Sequence, residues 1–329
     1  MSLNRSYRRG MTLPELLVVV AIIGLLAVTV LPSLSGTRQR SQAREAADLL
    51  VSHVSEVSAR SIGAKHGAST WYETEETGAG GDHAVVQLGY GRVRTQVSGS
   101  TSVSATGAVS LPAVVAAFLP APIHFVGSPS QCVATSVSQI SSTASGLSAL
   151  NRTVSNNAMP LATSPIPYLL DLPPRPRLTA SARAMPNNMA IDFSWSSIGV
   201  DSFTEPSTKK LPLGSYKCLA ITFDVTGRPT WVWVTAGHPA SSPAAWNFVT
   251  LDAATPIVLL VGPRGNVGNA YVASPTEDNP GANWQNPDAR WVLIDPRTSV
   301  VKSIETYAKA TTVADSLRFV VQTLKNTFN

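Results

Sequence analysis

Glu15 stands where a carboxylate is costly. It lies near the start of Met11–Leu31, which reads MTLPELLVVVAIIGLLAVTVL and is otherwise apolar apart from a few small polar residues. A carboxylate in apolar surroundings is strongly disfavoured unless it is protonated or paired, so an ionisable group in such a run is a functional candidate by default. The chemistry it offers is pairing with a cation. The stretch ahead of the run, MSLNRSYRRG, carries Arg5, Arg8 and Arg9 and no acid.

Elsewhere the residues that could do chemistry do not gather into a site. No G-x-S-x-G, H-E-x-x-H, C-x-x-C or P-loop pattern occurs. His53, His66, His83, His124 and His238 are scattered without ligand spacing and read as surface or structural residues. Gly262, Gly265 and Gly268 lack dinucleotide-binding spacing and a following helix, so they read as turns. Glu277-Asp278-Asn279 and Asp288 could gather oxygen ligands for calcium, but without a spaced calcium loop they read as solvated. Trp231 and Trp233 share one face of a strand and suit a sheet core better than a stacking platform. Arg92 and Arg94 form a small basic pair, a weak signal for DNA. Cys132 and Cys218 can make at most one bridge, and Cys218, within a strand, equally suits burial as a small hydrophobe. No enzyme, metal site or cofactor is expected.

The element that positions Glu15 is a helix. The 21 residues of Met11–Leu31 rise roughly 31 Å as an α-helix, enough to cross a bilayer's hydrocarbon core. The arginines ahead of it favour a cytoplasmic start, with the rest of the chain on the far side. A cleaved secretory signal fits less well. The run is long, Ser33-Leu34-Ser35 only approximates a cleavage site, and a carboxylate sits near the start. From Thr37 the pattern becomes amphipathic: Ala43, Ala46, Ala47, Leu50, Val54 and Val57 recur at helical spacing up to about Ile62, before Gly63. The two halves make one long helix, bent at Pro32.

These residues resemble a family. Gly10-Met11-Thr12-Leu13-Pro14-Glu15-Leu16-Leu17 looks like the class III signal of type IV prepilins and type II secretion pseudopilins, with Met11 for the usual Phe and Pro14 for the commoner Ile. Gly24 and Pro32 also fall where pilin helices carry a glycine and a kinking proline. The resemblance implies cleavage after Gly10 by a prepilin peptidase, N-methylation of Met11 and a role for Glu15 in subunit assembly. Arg44-Glu45-Ala46-Ala47 and Ala59-Arg60-Ser61 resemble the H-type minor pseudopilins, although Gly63 replaces their last alanine. Ile221-Thr222-Phe223-Asp224 with Gly227-Arg228 is similar to their late strand and turn, and Trp291–Pro296 to the closing strand of large prepilin-like cassette proteins.

The expected fold is α+β, with the long helix packed on an antiparallel sheet or sandwich and a second helix at the end. Leader 1–10 precedes a membrane half, 11–33, and an amphipathic half, 34–64. A β-rich head, 65–300, follows, and then a helical segment, 301–329. Strands are expected at Ala84–Leu88, Leu219–Phe223, Trp231–Thr235, Ile257–Val261, Asn269–Ala273, Arg290–Ile294 and Val300–Ile304. A Ser/Ala/Pro-rich insertion spans about 98–190. Val114–Phe118 and Ile123–Val126 are apolar enough to be buried there, and Pro173, Pro174 and Pro176 mark a rigid connector. Val313, Leu317, Val320, Leu324 and Phe328 give the closing helix an apolar face suited to the protein's own sheet.

Composition narrows the function. With 44% hydrophobic and 14% charged residues, the chain can build a core and is no disordered polyelectrolyte. The formal charge of +5 owes three charges to Arg5, Arg8 and Arg9, and the +2 that remains is no footprint for nucleic acid. The resemblance implies an inner-membrane protein with a cytoplasmic N-terminus and a periplasmic head. Its partners would be the peptidase, other pseudopilins or pilins, an assembly platform and membrane lipid. Two readings remain: a minor pseudopilin of a type II secretion pseudopilus, or a type IV minor pilin that grips DNA or a surface.

Overall fold

A computed structural model of the protein describes residues 13–64, 67–75, 83–103, 109–110, 123–125, 166–177, 180–186, 188–200, 209–238, 246–251, 256–276, 280–307 and 310–328. Within α1 the side chains of residues 26–37 lie outside the description, as do Gly10, Met11, Cys132, Val114–Phe118 and Glu277–Asn279.

Helix α1, Leu13–Ser61, runs for 49 residues and includes Pro32 without a break in its assignment. It stops where expected. Gly63 adopts φ +82°, the left-handed conformation that closes helices, and the Ala64 N–H donates back to the carbonyl of Ser61.

Two antiparallel sheets receive its second half. Sheet A orders its strands β12 (Trp246–Thr250), β11 (Pro229–Thr235), β10 (Cys218–Phe223), β1 (Ala68–Glu73), β3 (Gln87–Val103), β6 (Ile166–Pro176) and β5 (Ile123–Phe125). Strands β4 (Val109–Ser110) and β7 (Arg183–Ala184) also pair with β3. Sheet B runs β15 (Val301–Glu305), β14 (Arg290–Ile294), β13 (Ile257–Pro263), β8 (Met189–Val200) and β2 (Ala84–Val85), with β9 (Lys209–Pro212) beside β8. One core joins all three layers: Ala43, Leu50, Val54 and Val57 of α1, Leu219, Ile221 and Phe223 of sheet A, and Ile257, Leu259 and Val261 of sheet B. The alanines at 43, 46 and 47 are fully buried, so their small size lets the helix backbone come close to both sheets.

Both faces of the central strands are covered, which explains their continuous apolar runs. In β13, Val258 and Leu260 face away from α1 and join Trp291 and Leu293 beneath helix α2, Val313–Phe328. The apolar face of α2 packs on the protein's own sheet through Leu317 and Val320, and Trp291 Nε1 donates to Ser316 Oγ at 2.9 Å. Behind sheet A, Trp233, Trp231 and Trp246 cluster with Trp71, Cys218 and Ala220, the sheet-core role expected of the tryptophan pair.

Four expectations change. Ala84–Leu88 is not one strand: the chain leaves sheet B after Val85 and enters sheet A at Gln87, so neighbouring residues serve different sheets. Asn269–Ala273 forms no strand, because the Gln285 side chain takes the place of a neighbouring strand, accepting from Val272 N at 3.0 Å and donating to Val272 O at 2.7 Å. Pro173, Pro174 and Pro176 lie within β6 rather than in a connector. The pairing register shifts between Arg92 and Arg94, opposite the first two prolines, where no N–H is available. The segment 301–329 opens with β15 and is helical only from Val313. Strand β8, which pairs with β13, β2 and β9, is not anticipated at all.

Candidate functional site

The two halves of α1 have opposite surroundings. Leu13, Leu16, Leu17, Val18, Val20, Ile22, Ile23 and Leu25 are all exposed, and even the least exposed large side chain, Val19, shows 40% of its surface. In the second half Ala43, Leu50 and Val54 show none. Helix propensity does not account for the contrast: the first half, rich in Val and Ile and holding Gly24, is the weaker helix former, yet both halves are helical. What differs is that the head flanks only one of them. A helix that is apolar on every side is stable when something else surrounds it.

Glu15 lies in the first turn of the described helix with its side chain exposed among these residues. Pro14 precedes it in the same turn, where its missing N–H costs little. Among the described residues no helix is long and apolar enough to cross a membrane, and described side chains of the apolar run end at Leu25.

Residues 5–31 match the prokaryotic N-terminal methylation motif. The motif indicates a pilin-like or pseudopilin-like N-terminus, and a signal of this kind implies processing by a prepilin peptidase and assembly with other pilins. The match places Arg5, Arg8, Arg9, Gly10, Met11 and Glu15 inside one motif and ends at Leu31, before the half of α1 that the head buries. No curated protein and no solved structure matches the chain.

The head fastens to α1 through a polar cluster that the sequence pattern does not reveal. Glu56 accepts from Tyr90 Oη at 3.1 Å and pairs with Arg183 and Arg60. The Arg60 guanidinium also stacks over the Tyr90 ring, 4.8 Å from its centroid. Beyond the helix end, burial would raise the Asp224 carboxyl, but Oδ1 accepts from the Thr226 hydroxyl at 2.6 Å and from the N–H groups of Arg228 and Thr226, and these bonds hold it below the usual range. This turn spans Asp224–Arg228. Gly227 adopts φ +87° there, and its carbonyl accepts from Ser58 Oγ of α1 at 2.7 Å.

Of the other candidates, His53 is structural and fully buried, and Cys218 is a free, buried thiol. Asp288 pairs with Arg40 of α1 at 3.0 Å. Among the described residues no group of His, Cys, Asp and Glu could hold a metal ion. Arg92 gains a neighbour invisible in sequence. It lies directly opposite Arg175 in the β3–β6 ladder, both are exposed, and exposed Arg177 bonds through its N–H to Tyr90 O. The burial of Asp192 in β8 is equally invisible in sequence, because its partner Asn283 arrives from a distant part of the chain.

Proposed function

We propose that the protein is a minor pseudopilin, a structural subunit of a type II secretion pseudopilus, and not an enzyme. The observation that carries this reading is the contrast within α1: one continuous helix is held by the head over its second half and bears an uncovered apolar surface, with a carboxylate, over its first. Such a surface suits lipid before assembly and the apolar helices of neighbouring subunits afterwards. In this reading Met11–Leu31 spans the inner membrane, the head is periplasmic, and the peptidase cuts after Gly10. Removing the leader frees the amine of Met11, which is then N-methylated.

Direct N-terminal sequencing and intact mass of protein recovered from membranes test the reading. The expected product begins at Met11, carries one methyl group and stays membrane-bound. A product beginning beyond Pro32 would mean an ordinary signal peptide and would sink it.

One observation favours the second reading, a type IV minor pilin that holds DNA. Arg92 opposite Arg175 is a like-charge cross-strand pair, which disfavours the sheet unless an anion lies near. A handful of arginines is a small footprint beside the phosphate contacts that tight DNA binding requires, so the structural role ranks first.

A further inference from the structure

The second half of α1 has a free side. Ser41, Arg44, Glu45, Asp48 and Ser52 are exposed, opposite the buried Ala43, Ala46, Ala47, Leu50 and Val54. At 3.6 residues per turn the exposed five make one stripe, about 100° wide, along the helix. Its charges are poorly matched within the chain. Arg44 Nε lies 3.9 Å from Asp48 Oδ2, too far for a hydrogen bond, and the two side chains keep 72% and 63% of their surface. The order is also the weaker one, because a cation N-terminal to its acid at this spacing opposes the helix dipole. A pair so open can exchange its partner for one on another helix.

A parallel copy of α1 supplies that partner at one offset. With no axial shift, Arg44 faces Arg44, Glu45 faces Glu45 and Asp48 faces Asp48, and each contact is repulsive. A shift of four residues, about 6 Å, sets Asp48 of one helix level with Arg44 of the other. Glu45 then meets Ser41, and Ser52 meets Asp48, so each acid faces a hydroxyl donor. The shift also sets Arg44 level with Arg40, but that guanidinium is held by Asp288 of its own head.

The same four residues separate Glu15 from Met11. A register that brings Glu15 of one subunit to the Met11 amine of the next therefore brings Asp48 to Arg44, because α1 is continuous from Glu15 to Asp48. These two acids are about 50 Å apart along the axis and about 60° apart around it, so both can face one neighbour.

We propose that the free side of α1 is an interface between copies of this chain, in which Asp48 of one subunit pairs with Arg44 of its parallel neighbour, displaced by about one helical turn. The inference rests on the pilus-like reading and adds to it a second point that fixes the register. Formed at an exposed surface, the pair contributes more to choice of register than to affinity.

Co-purification of two differently tagged full-length copies from detergent-solubilised membranes tests it. Two copies carrying Arg44→Asp, or two carrying Asp48→Arg, set like charges across the interface and should co-purify at least about five-fold less than wild type. Both side chains are exposed, so neither variant should melt early. One copy of each kind restores opposite charges between subunits, and only between them, so their co-purification should return to near wild type. Loss without this recovery overturns the proposal, because that is what a pair confined to one helix gives. An unchanged yield in the single variants overturns it too, as does the absence of co-purification between wild-type copies. N-terminal sequencing of the same material separates the interface from the reading it rests on. A product that begins at Met11 but fails these tests removes the interface alone, whereas one that begins beyond Pro32 removes the pilus-like reading and the interface with it.

Discussion

His53 of α1 directs its Nε2 at the carbonyl oxygen of Gly89 in β3, 3.0 Å away, with the ring between Tyr72 and Tyr90. Burial pushes its pKa down to about 4, only partly opposed by the Gly89 bond. The folded protein therefore keeps this imidazole neutral while the unfolded chain protonates it near 6.5.

The sign follows from proton counting. Between pH 6.5 and 4 the unfolded state binds more protons at His53, so its contribution falls as pH drops through that window, by about 3 kcal/mol in all. Replacing His53 by Gln keeps an N–H donor for Gly89 and removes the titration. Thermal melts of the His53→Gln variant across pH 4–7 should show markedly less acid destabilisation than wild type. Equal acid slopes would mean that this ring titrates normally.

Asp192 acts in the opposite sense. Burial raises its carboxyl to about 6, although Ser194 N at 3.0 Å and Asn283 Nδ2 at 2.9 Å donate to it. The folded state binds the extra proton between 3.8 and 6, so this group gains stability as pH falls and costs stability at neutral pH. Asp192→Asn should raise stability at pH 7 by about 1–3 kcal/mol, provided that Asn283 turns its amide so that its unpartnered Oδ1 accepts the new N–H. It should also steepen acid unfolding, because the His53 contribution is then unopposed. A variant less stable than wild type at pH 7 would show that the ionised form is the one the site was built to hold.

What the sequence discloses follows from periodicity and chain proximity. Ala43 to Val57 announce a buried helix face, and Leu219, Ile221 and Phe223 a strand, because each repeats at its own period. β8 carries the strand period, with Ile191, Phe193 and Trp195 alternating with Asp192, Ser194 and Ser196; what the sequence does not disclose is that Asp192 and Ser196 of this polar set are buried, because their partners arrive from elsewhere: Asn283 for Asp192 and Leu260 N for Ser196 Oγ. The same reason hides the arginine pair and the contact between Glu73 and His238. Arg92 meets Arg175, and Glu73 meets His238, only through strand pairing and loop return across long stretches of chain.

The fully buried Cys218 thiol, its ionisation suppressed chiefly by burial, should resist alkylation in the native protein. Maleimide counting after unfolding without reductant should find two thiols. Finding none would mean a Cys132–Cys218 bridge.

The arginines on the head set a ceiling for DNA binding. If Arg92, Arg175 and Arg177 each neutralise one phosphate, log affinity should fall with log salt at a slope of about −3 or shallower. Filter binding of duplex DNA to the processed protein checks this. Tight binding at physiological salt, lost in Arg92→Ala with Arg175→Ala, would place the DNA-holding reading first.

Glu15 should matter for assembly and not for insertion or cleavage. On the proposed reading, the carboxylate of a single subunit lies at the start of the apolar helix, close to the bilayer surface. In a filament the apolar halves of neighbouring helices pack together without water, and there an unpaired carboxylate and an unpaired N-terminal amine are each costly. Pairing Glu15 of one subunit with the Met11 amine of the next would offset both penalties and fix the axial register. The leader must be cut first, because the amine does not exist before cleavage. A pair within one chain would satisfy the same charges without a neighbour and set no register. Glu15→Leu is therefore expected to be processed to Met11 and held in the membrane, yet to lose co-purification with its partner pilins. Normal incorporation of that variant would rule out the intersubunit pair and leave the internal one.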